Sequence, residues 1–225
     1  MNLYYYNHPN VGDALSPVIV HHFWGRKPRR VSPNISPKLL AVGSIMKTLR
    51  EGDTVWGSGV IRETDTWGDL PSECKFLALR GKLSEENLGV NVGVYGDPAL
   101  LLPLMYNPQV KIKHEVGYIP HYVDAPTFDG SGKKVIRVTQ DWKSFVREVK
   151  SCKKIVSSSL HGIIIAEAYG IPAQWAVYSN KVIGNGFKFK DYLTGTNRPI
   201  QEPGDFPPIP NLKELQEGLL RVIPR

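Results

Sequence analysis

Cysteine is scarce in this chain: Cys74 and Cys152 are the only two among 225 residues, far apart and without metal-type spacing. Two such thiols make neither a disulfide framework nor a zinc site, so a reducing compartment is expected. Long apolar runs are also missing, and nothing reaches the ~20 residues that a membrane span needs. The opening MNLYYYNHPN lacks both a basic n-region and an apolar core, which argues against a signal peptide. The expected location is therefore cytoplasmic, with peripheral docking at the inner face of the membrane left open. No block of five like charges occurs either. The surplus of 28 Lys and Arg over 21 Asp and Glu, net +7, is scattered from Arg26 to Arg225. Nucleic-acid binders cluster their basic residues, so nucleic acid is not expected as a partner. A phosphorylated substrate, an anionic membrane surface or a plain solvated exterior remain. No solenoid-type repeat is visible.

What is present is ordinary globular material, with 41% hydrophobic and 22% charged residues. Short apolar runs at Leu3–Tyr6, Leu39–Val42, Thr54–Trp56, Phe76–Leu79 and Val92–Tyr95 alternate with segments of helical spacing, the longest of them Ala14–Trp24. After a proline-bearing stretch at 103–113, strands are expected at Val116–Ile119, Val135–Val138, Lys153–Val156 and Gln174–Val177. Helices are expected at Trp142–Cys152 and Leu160–Tyr169. Beyond Ile183, Gly, Asn and Lys interrupt the pattern. Residues 199–210 hold five prolines and read as coil, and Asn211 caps a closing helix to Val222. Strands alternating with short helices predict an α/β protein with mostly parallel sheets. We expect two Rossmann-like lobes with a cleft between them: 1–105, then 114–198, with 199–225 as a proline-rich segment and closing helix.

One stretch organises the candidate chemistry. Ser157-Ser158-Ser159-Leu160-His161-Gly162 turns a buried strand into an apolar helix, exposing backbone N–H groups and a positive helix end at a sheet's carboxyl edge. His161 falls in the first helical turn. The helix end favours its neutral form, and a bound anion of two or three charges would reverse that bias and load the proton. Asp13, in Asn10-Val11-Gly12-Asp13, reads from spacing alone as a capping carboxylate; facing a cleft, it would instead accept a proton from a sugar hydroxyl. Gly12 allows close backbone approach. Trp56-Gly57-Ser58-Gly59 is a glycine turn able to present N–H groups of Ser58 and Gly59 to an anion, without the full dinucleotide fingerprint. Arg80, at a strand end before Lys82, is either a surface residue or a two-pronged carboxylate or phosphate clamp. Asp97 reads as a turn and helix start, and His121 as a second histidine at the cleft rim.

The ordered set NVGD (10–13), GSI (43–45), WGSG (56–59), LRGKLS (79–84), YGDPALLLP (95–103), IPHYVD (119–124), SSSLHGIIIAEAYGIP (157–172) and GFKFKDY (186–192) resembles the polysaccharide pyruvyl transferase family. The resemblance implies a two-lobed, GT-B-like fold and transfer of pyruvate from phosphoenolpyruvate to two hydroxyls of a sugar, forming a cyclic ketal on a bacterial surface glycan. It implies no cofactor or metal, and an acceptor that is a sugar, a lipid-linked oligosaccharide or a nucleotide sugar. By the same resemblance Arg80 grips the donor, Leu160 and His161 hold it, and His161 is the acid. Ser159 stands where some relatives carry a second anion-binding arginine, so Lys82, Lys188 or backbone N–H groups would substitute. Two readings compete: a GT-B-type glycosyltransferase using a sugar nucleotide, for which Glu167 would be the ribose carboxylate, and a non-catalytic two-lobed binder of anionic ligands.

Overall fold

Short aliphatic runs build two parallel sheets in the computed structural model, which describes residues 1–223; the last two residues of the closing segment lie outside them. The first sheet contains β1 (Asn2–Tyr4), β2 (Arg29–Arg30), β3 (Leu39–Leu40), β4 (Thr54–Trp56) and β5 (Lys75–Ala78), in the order β2-β1-β3-β4-β5. Between β1 and β2 runs α1 (Val11–Trp24), and α2 (Lys82–Leu88) follows β5. A 3-10 turn at Pro98–Leu101 then leads into the short α3 (Leu102–Met105). The second sheet, in the order β6-β7-β8, holds β6 (His114–Ile119), β7 (Cys152–Ser157) and β8 (Ala173–Trp175), with α4 (Trp142–Lys150) before β7 and α5 (Leu160–Ala168) after it. Two further helices, α6 (Phe187–Gly195) and α7 (Leu212–Arg221), complete the described chain.

Two expected strands shrink to single parallel bridges, Leu79 with Tyr95 and Tyr118 with Val135, in place of Val92–Tyr95 and Val135–Val138. The expected linker at 103–113 is helical over its first three residues. The largest departure is α6. Lys188, Lys190 and Asp191 disguise a helix whose Phe187, Phe189, Tyr192 and Leu193 are buried. At the start of α1 it is Asn10, not Asp13, that caps: its side chain accepts from the Gly12 amide at 3.2 Å. Asp13 is thereby released to face elsewhere.

The core explains why α5 is apolar all round. Leu160 and every residue from Gly162 to Ala168 are buried, each fully buried Ile contributing about 1.5–3 kcal/mol. Gly162 lets this helix press onto the sheet, since a Cβ there would fall 2.4 Å from Ser157 Oγ and 2.8 Å from Ile119 Cγ2. One hydrophobic cluster runs from Leu3 and Leu15 through Leu100–Leu102 to Ile155 and Ile164, so the two sheets share a core. The Val11 amide donates to Val138 O at 2.7 Å, and Trp56 Nε1 donates to Leu219 O at 3.0 Å, tying α7 back to the first sheet.

Candidate functional site

The loops that leave β1, β3, β6 and β7 at their carboxyl ends enclose a cleft of about 370 Å³. Open α/β sheets bind ligands at such edges. Asp13, Ser44, His121, Ser159, His161 and Lys188 all line it.

His161 enters the cleft from the first turn of α5 with its side chain 12% exposed. Its Nε2 stands 3.4 Å from Asp97 Oδ2, and both atoms are buried with no other partner among the described residues. The second Asp97 oxygen accepts from the Ala99 amide at 2.8 Å, which pins the carboxylate as the cap of the Pro98–Leu101 turn. Two buried polar atoms left otherwise unsatisfied favour each other strongly, and a contact of this length is short enough to tighten when a ligand closes the site. The face of the ring rests on Gly12, where a Cβ would lie only 2.0 Å from Nδ1. Glycine at position 12 is therefore what lets the imidazole lie against α1. The Ser158 and Ser159 amides are consumed by Ile119 O and Ser157 Oγ, whereas those of Leu160 and His161 find no partner among the described residues. The free N–H groups expected at this turn are thus those two.

Burial pushes the Asp13 carboxyl up to about 6, against the opposing pull of His161, His8 and Lys188. A carboxylate tuned to this range is a much better proton acceptor near neutrality than an ordinary one. Lys188, from the first turn of α6, is 8% exposed, and its ammonium has no ion-pair partner among the described residues. Burial, and next the charge of Arg80, bring it down to about 8, while Asp13 pulls the other way. His121 is driven down to about 4, by burial first and by Lys188 second, so it is neutral at physiological pH.

Several residues singled out from sequence stand elsewhere. The Arg80 side chain is wholly buried behind the cleft. Its Nε donates to Asp191 Oδ2 at 2.8 Å, one Nη lies 2.8 Å from the same oxygen and reaches Val60 O, and the other donates to Ser44 Oγ at 2.5 Å. The expectation of a guanidinium free to grip an anion is corrected accordingly: Asp191 already occupies it, and only Ser44 carries its influence to the cleft wall. Ser58 and Gly59 are committed as well. Ser58 Oγ and the Gly59 amide both donate to Gly43 O, and a Cβ on Gly59 would meet the Arg80 guanidinium at 2.4 Å. This glycine turn houses an arginine in place of an anion. Lys82 is exposed and faces a separate groove, over the Tyr95 ring. Ser158 donates to Asp124 at 2.6 Å and accepts from the His121 amide at 2.9 Å, bracing the loop that carries His121. Glu167, the glycosyltransferase reading's ribose carboxylate, is 1% exposed and gripped by both Arg198 Nη atoms at 2.7 and 2.9 Å.

Asp97 and Asp191 are the site residues that sequence reasoning missed. Asp97 sits in a Gly-Asp-Pro turn where a strand-like segment ends at the sheet's carboxyl edge, a position that invites a functional reading. Asp191 had no local signal, because its partner lies 111 residues away.

Comparison with known proteins reaches the family that the motifs resemble. The family described as Polysaccharide pyruvyl transferase matches residues 10–180. An uncharacterized protein, L143, of Acanthamoeba polyphaga mimivirus is 31% identical over 177 residues, covering 72% of this chain and 61% of its own. The succinoglycan biosynthesis protein ExoV of Rhizobium meliloti (strain 1021) is 29% identical over 145 residues, covering 59% of this chain and 45% of its own. The chain thus spans less than two thirds of the length of these curated relatives. No solved structure gives a significant match. With a family match over residues 10–180, most of its length, the chain belongs to the polysaccharide pyruvyl transferase family.

Proposed function

We propose that the protein is a ketal pyruvyltransferase that moves pyruvate from phosphoenolpyruvate onto two hydroxyls of a sugar during surface polysaccharide biosynthesis. The observation that carries this reading is the convergence of Asp13, His161 and an unpaired buried ammonium, Lys188, in one cleft. An ammonium without a carboxylate partner on a side chain this deeply buried costs stability, and a small polyanion is the ligand that would repay it. Family membership supports the reaction type.

In the proposed reaction the donor phosphate and carboxylate sit against Lys188, the Leu160 and His161 amides and the Ser44 hydroxyl polarised by Arg80. His161, oriented through Nε2 by Asp97, delivers a proton to the methylene carbon of the enol, which leaves the central carbon electrophilic. A sugar hydroxyl loses its proton to Asp13 and attacks that carbon. The carbon–oxygen bond to phosphate then breaks, with Lys188 and the helix end holding the departing charge. The neighbouring hydroxyl closes the ketal and its proton leaves with the phosphate. Attack falls on carbon, and the chain's own cations balance the charge, so the scheme uses no cofactor and no metal.

A GT-B-like relation of lobes 1–105 and 114–198, a sugar carried on a lipid or a nucleotide, and work at the inner face of the membrane belong to the same proposal. No helix among the described residues is long and apolar enough to cross a membrane. The engagement of Glu167 by Arg198 leaves the sugar-nucleotide alternative without its proposed ribose carboxylate. The deciding experiment incubates the protein with phosphoenolpyruvate and a panel of hexose acceptors, reading phosphate release and the product mass. Acceptor-dependent phosphate release with a ketal-bearing product is expected. Consumption of nucleotide sugars with none of phosphoenolpyruvate would overturn the reading.

A further inference from the structure

One wall of the cleft is used by none of these steps. Tyr6 and His8, from the loop after β1, and His121 and Tyr122, from the loop after β6, form a continuous row of rings along it. Centroids are separated by 6.4 Å from Tyr6 to His8, 4.4 Å from His8 to Tyr122 and 4.2 Å from Tyr122 to His121. Neighbouring planes differ by 22°, 30° and 35°, so the row is a fan in which His8 and His121 each lie over the Tyr122 ring. The Tyr6 side chain is 56% exposed, which no requirement of the core explains. His8 Nδ1 is buried and has no partner among the described residues.

We propose that this fan is the acceptor subsite and holds the C–H face of a hexopyranose. The inference rests on the pyruvyl-transfer reading for the identity of the sugar as acceptor. The donor is a polyanion, and the negative faces of aromatic rings repel it, so it belongs with Lys188 on the other side of the cleft. A pyranose chair has an apolar C–H face and a polar rim. Laid on the exposed Tyr6 ring at the end of the fan, it buries the first and turns the second into the cleft that Asp13 lines. Asp13, the proposed base, lines the same cleft as Tyr6 and Tyr122. His8 Nδ1 supplies a spare polar atom for a ring hydroxyl. Tyr6 suits the task, since it offers a large rigid face with little rotamer freedom to lose, and Tyr122, packed against His8 and His121, holds the row in place.

Saturation-transfer NMR with methyl hexopyranosides as probes, donor absent, tests the idea. Transfer should concentrate on the ring C–H protons of one pyranoside face. It should vanish in Tyr6→Ala and Tyr122→Leu but persist in Tyr6→Phe and Asp13→Asn. In turnover assays Tyr6→Ala should raise the acceptor KM about tenfold with the donor KM unchanged. Thermal stabilisation by phosphoenolpyruvate should be retained in both wall variants, which also shows that they fold. Transfer that is unaltered in the wall variants, or binding of uridine or adenosine in place of pyranosides, would overturn the proposal. Pyranoside binding at the wall without any response to phosphoenolpyruvate would support the subsite while refuting pyruvyl transfer, so the two failures are separable.

Discussion

Replacing Gly12 by alanine tests the proposed acid through a residue with no chemistry of its own. The added methyl would sit 2.0 Å from His161 Nδ1 and 2.5 Å from Cγ and Cε1. Carbon contacts settle near 3.5 Å, so the ring must retreat by about 1.5 Å. The ring is partly exposed toward the cleft and Asp97 is fixed by its cap, so the retreat breaks the Nε2–Asp97 contact while the fold stays intact. Displacement of a catalytic group by about 1 Å costs on the order of 10²-fold in rate. Alanine is also the better helix former by up to about 1 kcal/mol, so Tm should hold or rise. The expected outcome is a fall in kcat of about 10²-fold or more with unchanged thermal stability. His161→Ala should lower kcat by about 10²–10⁴-fold. In a His161→Ala background the Gly12→Ala change should do nothing further, because the group it displaces is gone. Near wild-type turnover in Gly12→Ala, or an equal loss in both backgrounds, would refute the claim that this imidazole does the chemistry.

The other expectations concern the charges around it. Asp97→Asn keeps the cap to Ala99 but removes the carboxylate charge, so kcat should drop about 10²-fold or more while Tm and the donor KM stay put; Asp97→Ala should additionally cost about 1 kcal/mol from the lost cap, read by urea denaturation. The pH profile of kcat/KM should rise through about 6 as Asp13 loses its proton and lose activity through about 8 as Lys188 loses its own, with that lysine step missing in Lys188→Arg. His121, already neutral above about 4, should add no limb in that range. Asp191→Ala should lower stability by about 3–5 kcal/mol, because it strands Arg80 in the interior, and Arg80→Ala should likewise unfold the protein more readily and not merely weaken donor binding.

The parallel α/β character was legible because buried strands here are short aliphatic runs at regular spacing, with β4 recovered at both ends. Elements whose pattern is set by distant partners were not. The residues of α6 look interrupted because Lys188 and Asp191 are spent on the cleft and on Arg80, contacts that local periodicity cannot register. Residues Val92–Tyr95 have strand composition but form one bridge, with the Leu79 amide on Val94 O and the Gly96 amide on Leu79 O, before the Gly96-Asp97-Pro98 turn ends the pairing. In the site, the turn at 157–162 put His161 in the correct helical position. Strand-end arithmetic also led to Arg80, but it could not say that Asp191, more than a hundred residues on, would claim the guanidinium.

That exchange makes sense of the serine at position 159. With Arg80 neutralised in the interior, no arginine on the serine turn and the cleft's other lysine, Lys47, paired with Asp65, the cation left without a carboxylate among the described residues is Lys188, three residues before Asp191 on α6. One helical turn thus both withdraws a charge from the site and supplies another. The cost is visible in the direction of the lysine's shift. An ammonium lowered from 10.5 to about 8 binds its proton less tightly folded than unfolded. The penalty, on the order of 3 kcal/mol, is therefore fully present below about pH 8 and fades as pH rises toward the unfolded value. Lys188→Met should accordingly raise Tm at pH 7, with the gain over wild type shrinking above pH 8. The same variant should raise the donor KM about 10²-fold through loss of a charge-assisted contact. Thermal scans from pH 6 to 10 with and without phosphoenolpyruvate read both effects. A Tm at pH 7 that falls on substitution would mean that the ammonium is compensated inside the fold, and that the anion site lies elsewhere.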